Sequence, residues 1–132
     1  RVNLRPATPE LESEAKEMIG AAIASVSAER DVEIDLHGGF ARPPKPMTAE
    51  AEALFALVRD AGADLGQQIG WKATGGVCDG NNIAACGVPV VDTMGVRGGK
   101  IHSMEEYLIV DSLKERAALS ALTILRLAGA GE

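Results

Sequence analysis

The chain has few residues of the kinds that mark disulfide-rich or membrane-spanning proteins. Aromatic side chains make up 3% of its 132 residues, so a hydrophobic core must be built mainly from aliphatic side chains. Two cysteines, Cys78 and Cys86, are too few for a disulfide scaffold and favour a reducing compartment, with the cytoplasm as the expected location. No apolar run approaches the ~20 residues that a membrane span needs, and no signal peptide is visible.

The charge balance disfavours nucleic acid as the main partner. The chain has 13 Lys and Arg against 19 Asp and Glu, a formal net charge of −6, whereas phosphate binding needs clustered basic side chains. Hydrophobic residues make up 46% of the sequence, which is typical of a globular chain. The length suits one domain with its own core, or two parts of a larger protein.

The beginning of the chain has the pattern of a strand, a helix and a second strand. Apolar and polar residues alternate over residues 2–5 and over residues 32–37, as in strands with one buried face. Between them Thr8 is placed to cap a helix, Pro9 suits its first position, and apolar residues at helical spacing continue to Val26. A strand that starts at the second residue needs a partner from elsewhere, so we expect the chain to be a fragment of a longer protein.

The stretch "ARPPKPM" is the best candidate for a domain boundary, because its three prolines can continue neither a sheet nor a helix. After it Thr48 is placed to cap a second helix, which we expect to end near Gly70. Ser112 and Glu115 have the spacing of a capping box at the start of the last helix. After Gly70 the sequence predicts a short strand at 71–73, a short helix closed by Gly87, an apolar strand at 88–92 and a helix over 113–127. This alternation predicts an α/β fold.

His102, in "GGKIHSMEEY", has two interpretations. A lone histidine in a turn is usually an exposed polar residue, and a metal site needs several ligands. However, Gly98 and Gly99 leave the backbone free to approach a ligand, and such loops follow the strands of open α/β sheets, where a neutral imidazole suits a metal. Glu105 and Glu106 could orient His102 or act as an acid–base pair, or they could be a solvated turn.

The loop "TGGVCDG" and Arg5 are the other candidates. Consecutive glycines expose backbone N–H groups that can bind an anion or a carbonyl oxygen, and the alternative is a plain strand-to-helix turn. Asp79 could fix this loop by accepting backbone hydrogen bonds, and Cys78 beside it is better explained by packing than by nucleophilic chemistry. Arg5 lies on the polar face of its predicted strand, either as ordinary surface charge or as a bidentate partner for a carboxylate.

In this order, "RVNLRPATPE", "TGGVCDGNNIAACGVPVVDTMG" and "GGKIHSMEEYLIVDSLKERAALSALTILRL" resemble the C-terminal third of the zinc aminoacylase family. That family includes glutamate carboxypeptidase, acetylornithine deacetylase and succinyl-diaminopimelate desuccinylase. The resemblance covers essentially the whole chain, and its most specific part is the pair "GGVCDGN" and "HSMEEYLIVDSL" at the expected separation.

The resemblance implies a two-domain, homodimeric enzyme. Residues 1–46 would be the C-terminal part of a smaller α+β, ferredoxin-like lid and dimerisation domain, and residues 47–132 the C-terminal part of an α/β catalytic domain with two zinc ions. His102 matches the last zinc ligand, Arg5 matches a lid arginine that holds the substrate carboxylate, and Gly76 and Val77 match loop residues whose backbone contacts substrate. The remaining ligands and the general base would lie upstream.

The implied reaction is hydrolysis of an amide bond next to a free carboxylate in a small N-acyl amino acid or peptide. We expect the fragment alone to be inactive, because one histidine does not hold zinc tightly. Two other functions stay open on the residues alone. One is a non-catalytic dimerisation module, and the other is a small-anion-binding domain built on the glycine loop.

Overall fold

The computed structural model describes residues 2–129, and in them it contains four α-helices and a two-stranded antiparallel sheet. In chain order the elements are α1 (Pro9–Arg30), α2 (Ala49–Asp64), α3 (Asp79–Ala85), β1 (Gly98–Gly99), β2 (Tyr107–Leu108) and α4 (Ser112–Gly129). The chain divides into a first compact unit, residues up to 47 with residues 73–88, and a second unit of residues 48–72 with those from 89 onwards. The lid and catalytic parts expected at 1–46 and 47–132 stay a prediction, because compactness does not identify the parent domain of a segment.

Helix α1 begins where the sequence predicts. The Thr8 hydroxyl accepts a hydrogen bond from the Leu11 N–H at 3.3 Å, and Pro9 occupies the first helical position. The helix ends at Arg30, and the next residue, Asp31, has a φ of 51° that turns the chain out of the helix while its N–H is donated to the Ser27 carbonyl. No residue of α1 is buried, so its apolar stripe is largely uncovered in the first unit.

The strands predicted at 2–5, 32–37, 71–73 and 88–92 are not strands among the described residues. There the hydrogen-bonded ladder is confined to β1 and β2, with Gly98 opposite Leu108 and Gly99 opposite Tyr107. Alternation of apolar and polar residues selects a buried face, but a strand also needs a neighbour that accepts and donates its backbone hydrogen bonds. The mixed helical and sheet composition remains compatible with part of an α/β fold.

Helix α2 starts at the predicted cap and ends earlier than predicted. The Thr48 hydroxyl accepts from the Ala51 N–H at 3.2 Å. The helix ends at Asp64 rather than near Gly70, because Gly66 adopts a φ of 71° and the Gln67 N–H returns to the Gly62 carbonyl at 2.8 Å. The chain then folds back over the helix terminus.

The core of the second unit is small and aliphatic, as the scarcity of aromatic residues predicts. Val58 and Ala61 of α2 pack with Leu119 of α4, and all three are almost fully buried. Partly buried apolar side chains surround them: Ile69, Val91, Met94 and Leu122. In the same unit Trp71 packs against Phe55 of α2, with ring centroids 5.2 Å apart.

The capping box predicted for α4 does not form. Ser112 is the first helical residue, is completely buried, and donates its hydroxyl to the Ile109 carbonyl at 2.5 Å. The Glu115 carboxylate binds the Arg97 guanidinium through two contacts of 3.0 Å instead of returning to the helix start. A guanidinium offers two charge-assisted hydrogen bonds, and one neutral N–H offers less.

Candidate functional site

The first unit brings Arg5 onto the glycine loop. Arg5 Nη1 donates a hydrogen bond of 2.6 Å to the Gly75 carbonyl, across 70 positions of sequence. A Cβ on Gly75 would lie 3.6 Å from Arg5 Cδ, so the stem of the arginine also lies along the loop. The guanidinium is thereby held at Gly75, the residue that precedes the candidate residues Gly76 and Val77 in the loop.

The loop is held between residues 42–43 and the start of α3. The Asn81 side chain is buried, donates to the Pro43 carbonyl at 2.9 Å, and accepts the Cys78 N–H at 3.1 Å. Asp79 pairs with Arg42 at 2.9 Å, whereas the sequence left open hydrogen bonds from the loop backbone. Because the Asp79 side chain is 87% exposed, that ion pair contributes little stability. Asn81 is the residue that sequence reasoning missed, although its place three residues after the helix cap is a capping-box position.

One N–H of the glycine loop is already used inside the loop. The Gly76 N–H is donated to the Thr74 hydroxyl at 3.3 Å, near the upper limit of length for such a bond. A ligand oxygen could replace that weak bond, and the carbonyl of the preceding residue, Gly75, holds Arg5. The loop therefore offers peptide groups next to a guanidinium, which is a pairing that suits a ligand with both a carbonyl and a carboxylate.

His102 lies in the second unit at the tip of the hairpin formed by residues 97–109. Its φ of 67° is in the left-handed region, which is uncommon for a side chain larger than glycine. Its backbone N–H is donated to Glu106 Oε2 at 3.2 Å, and Glu105 pairs with Lys100 at 2.5 Å. The two glutamates therefore hold the turn in shape, and neither of them orients the imidazole of His102. The ring is exposed and makes no hydrogen bond to the described residues.

Gly98 and Gly99 make a close approach, but to the opposite strand rather than to a ligand. A Cβ on Gly98 would clash with the Tyr107 carbonyl oxygen, and a Cβ on Gly99 would lie 2.8 Å from Tyr107 Oη. The two glycines are needed because Tyr107 lies across them in the hairpin. The glycines at these positions are therefore explained by the close packing of the hairpin, and they give no information about a substrate.

A metal ion needs several ligands that lie close together. Within residues 2–129 no group of three or more His, Cys, Asp or Glu side chains is placed to hold a metal. The His102 imidazole has the chemistry of one ligand for a first-row metal. The described residues fit a metal site only as the source of a single ligand.

The chain matches the model of peptidase family M20/M25/M40 over residues 5–126, and it belongs to that family. The resemblance seen in the sequence is confirmed at this level: the family is one of hydrolases whose members typically bind metal. No curated protein and no solved structure gave a significant match to the chain. Within residues 2–129, none of the helices combines the length and the apolar character needed to cross a membrane.

Proposed function

We propose that this chain is part of a zinc-dependent hydrolase that cleaves an amide bond next to a free carboxylate. The reaction is of the carboxypeptidase or N-acyl-amino-acid deacylase type. The observation that carries the proposal is the hydrogen bond from Arg5 to the Gly75 carbonyl, because it holds a guanidinium at a loop of peptide groups in a member of a peptidase family.

Arg5 binds the substrate carboxylate. A guanidinium has five N–H donors, and the bond to Gly75 uses one of them, so the others are available for a bidentate contact. The Gly75 carbonyl also restricts the rotation of the side chain, which reduces the entropy lost on binding. The backbone of Gly76 and Val77 contacts the acyl part of the substrate beside the scissile bond.

His102 serves as one ligand of the metal centre, and the other ligands come from residues outside the described stretch. A bound divalent cation supplies Lewis-acid polarisation of the scissile carbonyl. The resemblance implies two zinc ions per subunit. Because the described residues hold a single candidate ligand, this chain by itself neither retains zinc tightly nor turns over substrate.

The remaining features of the proposal follow the resemblance and the composition. Substrates are small N-acyl amino acids or peptides, the enzyme is a homodimer, and it works in the cytoplasm. The formal charge of −6 supports the exclusion of nucleic acid as a partner.

Replacing Arg5 tests the carboxylate contact in the complete polypeptide. We expect Arg5→Gln to lower kcat/KM by roughly 100-fold on a substrate with a free carboxylate, the size of one lost charge-assisted contact. The same substrate with its carboxylate converted to an amide should be cleaved poorly by both forms and with less than about a twofold difference between them.

Arg59→Gln is the matched control, because Arg59 is an exposed arginine whose partner is the adjacent Asp60. It should leave both rates unchanged. An Arg5→Gln enzyme that discriminates between the acid and its amide as well as the parent does would remove Arg5 from the site. Thermal melts of the parent with zinc and with phosphate separate the hydrolase from a small-anion-binding domain, which only phosphate would stabilise.

A further inference from the structure

The hairpin that carries His102 is attached to α4 by hydrogen bonds at its base. The Ser112 hydroxyl accepts from the Arg97 N–H at 2.8 Å and donates to the Ile109 carbonyl at 2.5 Å. The Ile109 N–H closes the ring by donating to the Arg97 carbonyl at 2.8 Å. Ser112 has no exposed surface, so water does not compete for these bonds.

The side chain of Arg97 adds a second attachment, one turn further along α4. Its Nε and Nη2 atoms each lie 3.0 Å from an oxygen of Glu115, which is the two-point geometry that fixes orientation. The Glu115 carbonyl in turn accepts from Gln67 Nε2 at 2.9 Å, so this turn of α4 is tied to the segment after α2. Both charged side chains are partly exposed, so the ion pair adds little to the free energy of unfolding, and its main effect is to fix the orientation of the hairpin on α4.

The hairpin cannot fix its own orientation relative to α4. Its strands have two residues each, and an isolated ladder of that length is marginal in water. At the tip, the Ser103 N–H and hydroxyl both bind the Lys100 carbonyl, and Glu106 accepts the His102 N–H. These bonds set the shape of the tip, but they do not reach any element outside the hairpin.

We propose that Arg97, Ser112 and Glu115 form a clamp that orients the hairpin, and that Arg97 and Glu115 are therefore positioning residues for His102 as a ligand of a divalent cation. The inference rests on the proposed function of His102. Productive metal sites hold their ligands within about 0.5 Å, and an exposed tip on a two-residue ladder meets that only when its base is fixed.

The test uses two single variants of the complete polypeptide, Arg97→Gln and Glu115→Gln, each of which removes one charged partner of the ion pair. Amide hydrogen exchange over residues 97–109, measured without metal, should become faster in both variants. Zinc affinity, measured by competition with a chromogenic chelator, should fall roughly tenfold, the lower end for residues that support a metal ligand. Arg97→Lys keeps the positive charge but cannot make the two-point contact of a guanidinium, so it should show both effects.

The matched control is Arg126→Gln, which breaks a second arginine–carboxylate pair among the described residues of α4, with Asp64. It should leave both exchange over residues 97–109 and zinc affinity unchanged. His102→Ala should abolish the zinc affinity that the clamp supports. Unchanged zinc binding in His102→Ala would refute the proposed function itself. Loss of zinc in His102→Ala, combined with parental exchange or parental zinc affinity in the Arg97 and Glu115 variants, would overturn the clamp alone.

Discussion

At the residue scale, the two glycines of β1 differ in what faces them. A Cβ on Gly98 would meet backbone atoms of β2, including Leu108 Cα at 3.2 Å, and a backbone in a ladder cannot move aside cheaply. A Cβ on Gly99 would meet the outer part of the Tyr107 ring, which is more than half exposed and can swing outward. Gly95 has nothing within 4 Å of its Cβ position.

We therefore expect a graded effect of alanine at these three positions on the free energy of unfolding. Gly98→Ala should cost about 1–3 kcal/mol, the usual penalty of overpacking, and Gly99→Ala should cost less. Gly95→Ala is the control and should stay within about 0.5 kcal/mol of the parent. Denaturant titration of the three variants measures the order, and equal values for Gly98→Ala and Gly95→Ala would show that β1 and β2 do not pair.

Residue types could be selected from the sequence, but their partners could not. Arg5 and the glycine loop were singled out by type, and the contact between them spans 70 positions that no local pattern connects. Gly98 and Gly99 were predicted to allow a close approach, and they do so toward Tyr107 rather than toward a ligand. The roles of His102, Arg5, Gly76 and Val77 in metal and substrate binding remain predictions.

At the element scale, the start of α2 links a hydroxyl to a carboxylate. Hydrogen bonds from its own backbone N–H and then from the Thr48 side chain lower the pKa of Glu50 below its ordinary value of 4.5. A carboxyl whose folded pKa is lowered contributes stability above its unfolded pKa and loses it as the pH falls through the folded pKa. The contribution of this helix start should therefore fade in acid, below about pH 4.5.

Thr48→Ala tests this dependence. It should lower the free energy of unfolding by about 1 kcal/mol at pH 7, the usual cost of a lost helix cap. The cost should be smaller at pH 3, because the bond between the hydroxyl and the Glu50 carboxylate weakens as that carboxyl takes up a proton. Thr48→Ser retains the hydroxyl and serves as the control. Urea titrations at the two pH values provide the comparison, and a larger cost at pH 3 than at pH 7 would contradict the coupling.

Helix starts were predictable because their determinants are local. Thr8 and Thr48 each accept an N–H three residues ahead, so the relevant atoms lie within one turn of sequence. The start of α4 was predicted with the wrong hydrogen bonds, since Arg97 lies 18 positions from Glu115 and displaces the local capping box. Strands at 32–37 and 88–92 failed for the same reason, because a ladder depends on a distant neighbour.

At the scale of the whole molecule, the stability of the second unit rests on few aliphatic contacts. Leu119 of α4 is 1% exposed and packs against α2. Leu119→Ala should therefore lower the free energy of unfolding by about 2–5 kcal/mol, through lost burial and the cavity that remains. Leu125→Ala, in the same helix at a side chain 69% exposed, is the matched control and should cost less than about 1 kcal/mol. Equal costs, measured on this chain by chemical denaturation, would mean that α4 buries a different face.

The position of Trp71, which packs against Phe55, determines which part of the molecule its fluorescence reports. The single tryptophan and the single tyrosine, Tyr107, both belong to the second unit, whereas the 22-residue helix α1 belongs to the first. Intrinsic fluorescence is therefore blind to the unit that holds Arg5, and far-ultraviolet circular dichroism registers both. Melting curves from the two signals coincide when the units unfold together and separate when either one melts first.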